Sequence, residues 1–213
     1  TDAWVHWALW AHGANLVDKN DKVIINSPET VKALEYIKAL SDTFVDGTAS
    51  WNDSFNNKAF LQSQISLTNN GVSIYAAAKA GAGSDPKMKE IMDDMNHSLW
   101  PVGPVGKPTE FHIAYPMMAM KYSKFPNACK ALLSFTLEAA NFDKWLEGGV
   151  AYLTHPLNAY DNNAVWKSDP KLSMLRDVAK RTLTAGGEGS VGEKAASALA
   201  DFVMLDMVAS VCT

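Results

Sequence analysis

The chain has 213 residues, 47% hydrophobic and 20% charged, with a formal net charge of −4 and a pI near 5.7. That length supports a sizeable core or about one and a half domains, and the lack of a basic stripe argues against nucleic acid as a partner. No apolar run reaches the roughly 18 residues of a membrane-spanning helix, and two cysteines, Cys129 and Cys212, are too few for a disulfide framework.

The chain opens without an initiator Met, directly in aromatic material. The expectation is a piece of a longer polypeptide, with any signal peptide lying outside it. Residues 4–12 read as a helix stopped by Gly13. Trp4, Trp7 and Trp10 stand three apart, so on a helix they share one broad face. Such a face suits core packing, and it also suits a stacking surface for a ring-shaped ligand. Seven tryptophans in all (4, 7, 10, 51, 100, 145 and 166) hint at a binding surface.

Asp18-Lys19-Asn20-Asp21 forms the turn of a predicted hairpin that returns through Val23, Ile24 and Ile25. Asp18 and Asn20 begin like a calcium loop, but no Gly or terminal Glu follows at the required spacing, so no metal is expected. Ser27-Pro28-Glu29 is a helix start, with Ser as cap, Pro in the first position and Glu at the positive dipole end. Val31, Leu34, Ile37, Leu40 and Phe44 continue it at helical spacing until Gly47.

A short helix is predicted over 54–63, with Ala59, Phe60 and Phe55 inward. Ile65–Thr68 alternates as a strand does. Asn69-Asn70-Gly71 breaks it before an Ala-rich helix, 72–80. A further helix over 86–95 carries Met88, Ile91, Met92 and Met95 as adaptable core. The stiff P-V-G-P-V-G-K-P, residues 101–108, is placed as a crossing between two lobes.

Phe111 to Met120 is read as a buried strand. Helices over 127–138 (Ala128, Leu132 and Phe135 inward, Cys129 a buried free thiol) and 141–147 follow. Y-L-T-H-P-L, 152–157, is a turn. Asp169-Pro170 starts another helix, and a last helix runs over 193–211. Many helices alternating with a few short strands argue an α/β fold.

Motifs for chemistry fail on inspection. Gly187-Glu188-Gly189-Ser190-Val191-Gly192 has the letters of a dinucleotide fingerprint. It follows a Lys/Arg-bearing helix rather than a strand, and reads as a loop before a helix. Its following helix N-terminus could still donate N–H groups to a ligand oxygen. Gly106-Lys107-Pro108-Thr109 lacks the upstream Gly of a phosphate loop. The histidines (6, 12, 97, 112, 155) make no zinc pattern, and there is no G-x-S-x-G elbow. No pair of carboxylates is singled out. Hence no catalytic residue, metal or cofactor is expected.

The order of several segments resembles the C-terminal portion of the extracellular solute-binding proteins of ABC importers, sugar-binding type. W-A-L-W-A-H-G-A-N-L-V-D is similar to the family's helix, glycine turn and hairpin. S-P-E-T-V-K-A-L-E-Y-I-K-A-L is similar to its next helix. K-A-F-L-Q-S-Q-I-S-L-T-N-N-G resembles its A-F-x-x-G-x-x-A-M-x-x-x-G signature, departing from it at the first glycine. L-W-P-V-G-P-V-G-K-P resembles its return strand across the hinge, and F-P-N-A-C-K-A-L-L-S-F-T-L its A-A-x-x-F-L-x-F helix.

The resemblance implies an α/β fold of the type II periplasmic-binding-protein kind, two lobes with hinge crossings, of which this chain holds one lobe and part of the other. Residues 1–99 and 140–213 would belong to one lobe, and 100–139 would hold the crossing and a segment of the other, most of which precedes Thr1 in the family. It also implies ligand contacts at Trp4 and Trp7, Ser73 and Tyr75, and Glu188 and Lys194, with His112 and Tyr115 from the hinge-side strand and Trp51 and Asn52 at the rim. A sugar's C–H face stacks on an aromatic ring, while its hydroxyls need fixed polar partners.

The implied function is non-catalytic capture of a small polar solute, a saccharide or polyol, in an interlobe cleft, and its delivery to the membrane subunits of an ABC permease. The location is periplasmic, or extracytoplasmic with an anchor. A carbohydrate-active hydrolase with an aromatic-lined cleft is the main rival. A sensory module that meets a membrane receptor without transport is the third reading.

Overall fold

Gly13 ends the first helix as its backbone freedom allows. It takes φ 86°, and Ala14 N–H donates to the Leu9 carbonyl at 3.0 Å, closing α1 (Asp2–Ala11) with a left-handed turn. The computed structural model describes residues 2–212. Ser27 caps α2 (Pro28–Ser41), its side chain accepting the Thr30 N–H. The chain continues through α3 (Phe55–Leu61), α4 (Ser73–Gly81), α5 (Pro86–Asp94), α6 (Pro126–Leu137), α7 (Ala139–Gly148), α8 (Val165–Ser168), the 3-10 helix Pro170–Asp177, α9 (Val178–Arg181), α10 (Glu193–Ala200) and α11 (Val203–Cys212).

The chain divides into two units. One comprises Thr1–Asn69, Leu99–Ile113 and Lys180–Thr213, the other Asn70–Ser98 and Ala114–Ala179. Residues 70–98 and 140–179 thus group with 114–139, while 1–69 and 180–213 group with 99–113. In the first unit α1, α2 and α11 pack on one another around Val5, Leu9, Ala33, Ile37, Met204 and Val208. Gly103 lies so close to the end of α1 that a Cβ there would stand 2.6 Å from Ala11 Cβ. In the second unit the core gathers Val72, Tyr75, Phe142, Leu146, Tyr160, Val165, Trp166 and Leu172.

Strands are where structure and expectation part. Among the described residues the only β pairings are two isolated bridges, Val17 with Val23 antiparallel and Phe111 with Leu183 parallel. The hairpin is present, but as one bridge, and Ile65–Thr68 finds no ladder partner. Leu67 is 86% exposed. Of the expected buried strand 111–120, Phe111 alone is bridged and buried, while Ile113, Tyr115, Met117, Met118 and Met120 are exposed. Extended backbone becomes a sheet only when a neighbour pairs with it, so the strand content expected of an α/β fold is not confirmed.

Two helices also depart from expectation. Leu132 and Phe135 of α6 are exposed, and Cys129 is only half-buried, because α6 buries no residue among those described. The predicted last helix is broken at Phe202, which takes φ 55°, and the two halves bend by 51°.

Candidate functional site

The candidate ligand contacts of the first unit fall into four places. Trp4 and Trp7 sit on α1. The Trp4 ring meets Phe44 edge to face at 5.6 Å. Trp7 is only 6% exposed; its indole N–H donates to the Pro101 carbonyl at 3.0 Å and its ring lies 5.0 Å from that of Trp100. Trp10, read from sequence as core, is buried and tilts against Phe111. Trp7 and Trp10 therefore knit this helix to residues 100–111 with their rings turned inward, while the half-buried Trp4 packs on Phe44 instead.

The second place is the root of the segment that leaves this unit after Ile113. Leu183 N–H donates to the Glu110 carbonyl at 2.7 Å and His112 N–H to the Leu183 carbonyl at 3.0 Å. His112 Nδ1 lies 2.6 Å from Thr182 Oγ1. Arg181 Nε donates to the Glu110 carboxylate at 3.0 Å, with the Glu110 side chain 6% exposed. His112 thus serves the pairing of two chain segments.

The third is the glycine-rich loop. Ser190 N–H donates to the Asp18 carbonyl at 2.9 Å. Glu188 pairs with Lys107, and Lys194 lies 3.7 Å from Asp21 Oδ2. The loop needs its glycines for contact rather than for phosphate. A Cβ at Gly189 would stand 2.0 Å from the Val17 carbonyl oxygen and one at Gly186 2.2 Å from that of Ser190. In the acidic hairpin turn Asp18 Oδ1 accepts the N–H groups of Asn20 at 2.8 Å and Lys22 at 3.0 Å, while the enclosed Asp21 Oδ1 completes no hydrogen bond. Among the described residues no group of three His, Cys, Asp or Glu is placed to hold a metal.

Trp51 and Asn52 form a different kind of place, on the surface ahead of α3. The half-buried Trp51 ring runs nearly parallel to that of Phe55, 6.2 Å away at 27°. Phe55, expected inward, is 42% exposed, because α3 turns only Ala59 into the core. Lys58 Nζ stands 5.4 Å over the Phe55 ring. Asn52 is exposed and its Oδ1 accepts from Ser54 N–H at 3.0 Å, which leaves its amide N–H group directed by a fixed carbonyl. Asn56 Nδ2 reaches Thr68 Oγ1 at 3.4 Å. This is an accessible aromatic surface bordered by amides and one ammonium.

In the second unit, Tyr75 is 4% exposed. Its phenol donates to Asp169 Oδ2 at 2.6 Å, Lys79 Nζ donates to the same oxygen at 2.7 Å, and Lys171 N–H to Oδ1 at 3.1 Å. Burial, with Asp169 beside it, pushes the Tyr75 phenol far above its ordinary range. For Asp169 burial works against the charge, but hydrogen bonds from Lys79 and Tyr75 outweigh it and hold the carboxyl below its ordinary value. Ser73 accepts from Asn70 Nδ2 at 2.9 Å. Tyr115 is exposed. Sequence reading did not find Asp169, whose partners lie 94 and 90 positions away.

A search of curated proteins and a search of solved structures each returned no match. A family profile for bacterial extracellular solute-binding proteins matches residues 1–174. That span takes in α1 to α8, both buried aromatic clusters and the Trp51–Phe55 surface. The chain belongs to the bacterial extracellular solute-binding proteins, the substrate-capturing components of ABC importers.

Proposed function

We propose that this protein captures a saccharide or polyol without chemical turnover and delivers it to the membrane subunits of an ABC permease, in the periplasm or otherwise outside the cytoplasmic membrane. The observation that carries the saccharide reading is the Trp51–Phe55 ring pair, accessible and bordered by Asn52, Asn56 and Lys58. An aromatic face takes the C–H face of a sugar ring, and amides and an ammonium supply the directed donors and acceptors its hydroxyls require. Bound solute then shifts the population toward the form that the permease recognises.

The test is a thermal-shift screen of neutral monosaccharides, disaccharides and polyols on the protein, followed by calorimetry of the best one with Trp51→Ala. A ligand that binds only the native state raises the melting temperature. Loss of a stacked ring should weaken binding by about 2 kcal/mol or more. The reading fails if no sugar or polyol shifts the melting temperature, or if the Trp51→Ala protein binds the active sugar unchanged. Release of product from an oligosaccharide by the purified protein would point to a hydrolase instead.

A further inference from the structure

Helix α5 buries none of its residues. It lies along α4, held by half-buried rather than enclosed side chains. Met88 covers Gly81, and Met92 and Met95 pack against the core around Phe142 and Tyr160. Beyond its last residue, two groups close its C-terminal end. Lys171 Nζ donates to the carbonyls of Met92 at 2.6 Å and Asp93 at 2.7 Å, which otherwise lack partners at a helix end. His97 sets its ring edge-on to Tyr75 at 5.5 Å and 88°. Both His97 ring nitrogens are shut off from solvent without a well-formed hydrogen bond, the Lys171 backbone making only a weaker polar approach. An element with so little burial opens locally at a small free-energy cost.

We infer that His97 is a proton-operated latch: neutral, it seals the junction between the end of α5 and the 3-10 helix Pro170–Asp177; protonated, it releases α5 from the second unit. Tyr75 of α4 meets its ring, and Asp169 and Lys171 at the start of the 3-10 helix act on it, while Lys79 binds Asp169 and Asp93 of α5 acts on Tyr75. Asp169 already accepts from Tyr75, Lys79 and the Lys171 N–H. Asp93 is paired with Lys89. A proton arriving at His97 therefore gains no free carboxylate and places a second cation beside the Lys171 ammonium.

The direction follows from the same surroundings. Burial holds the His97 ring below its ordinary 6.5, and the Lys171 ammonium adds to this, while the Lys171 backbone and Asp169 oppose it. A group held neutral by folding contributes stability that is present above its ordinary pKa and lost as pH falls from there toward the lower folded value.

Hydrogen exchange of the α5 amides in the full chain tests this, at about pH 7.5 and about pH 5, with intrinsic rates corrected for pH. In the wild type, α5 opening should rise several-fold in acid, while α7 amides keep their protection. In His97→Phe the rise should vanish. An α5 whose opening is flat with pH in the wild type, or still rises in acid in His97→Phe, overturns the latch. Should His97→Phe not fold, the ring resonances of His97 in the wild type decide. Titration below 6.5 with α5 amide shifts following the same midpoint supports it, and titration at or above 6.5 overturns it.

Discussion

Tyr75 and Asp169, 94 positions apart, share a buried hydrogen bond of 2.6 Å that fastens α4 to the start of the 3-10 helix Pro170–Asp177. Replacing Tyr75 with Phe keeps the ring and removes the donor to a charged acceptor. It should lower stability in urea by about 1.5–3 kcal/mol. Asp169→Asn removes the charge that Lys79 and Tyr75 hold. Because those bonds keep the carboxyl below its ordinary value, the stability they give is present above that value and lost as pH falls through the folded one. A wild-type acid-unfolding curve that Asp169→Asn leaves unaltered would contradict this.

Glu110 is buried and meets Arg181 across the pairing of residues 110–112 with 183. Arg181→Met strands a carboxylate inside the protein, and should cost about 3–5 kcal/mol, whereas the double change Glu110→Gln with Arg181→Met should recover much of that loss. Denaturant midpoints for the wild type and the two variants check it. A double variant no more stable than the single would show that the pair's charge is immaterial.

Gly189 touches the Val17 carbonyl oxygen at the position a Cβ would need. Gly189→Ala must push the loop off the hairpin, with an expected loss of about 1–3 kcal/mol. Gly47, with nothing near its Cβ position but φ 80°, is a control for conformational strain alone. Thermal melts of both variants separate crowding from strain.

Ser63 closes α3 as Gly13 closes α1: Gln64 N–H donates to the Ala59 carbonyl at 2.8 Å while Ser63 takes φ 61°. A side chain in this left-handed conformation costs about 1–2 kcal/mol, part of which glycine's greater unfolded-state entropy offsets. Ser63→Gly is thus expected to raise stability by about 0.5–1 kcal/mol. A lower melting temperature for this variant would refute the strain.

Several helix starts and stops were legible in the chain, although α2 ends at Ser41 rather than near Gly47 and the last helix breaks at Phe202. Ser27-Pro28 begins α2 and Gly13 ends α1. These signals are local, set by caps and backbone freedom within a few residues. The family, too, was legible, because it is carried by the order of such segments. Which apolar side chains face inward was settled by packing between distant segments. Periodicity gives a helix a face but not a partner, so Leu132 and Phe135 were expected inside and are exposed, as is Phe55. That packing also decided that Trp7 and Tyr75 are enclosed, that residues 111–120 pair through a single bridge, and that Asp169 gathers Tyr75, Lys79 and Lys171. Each of these depends on residues brought together from tens of positions apart, and no window of sequence contains both sides of such a contact.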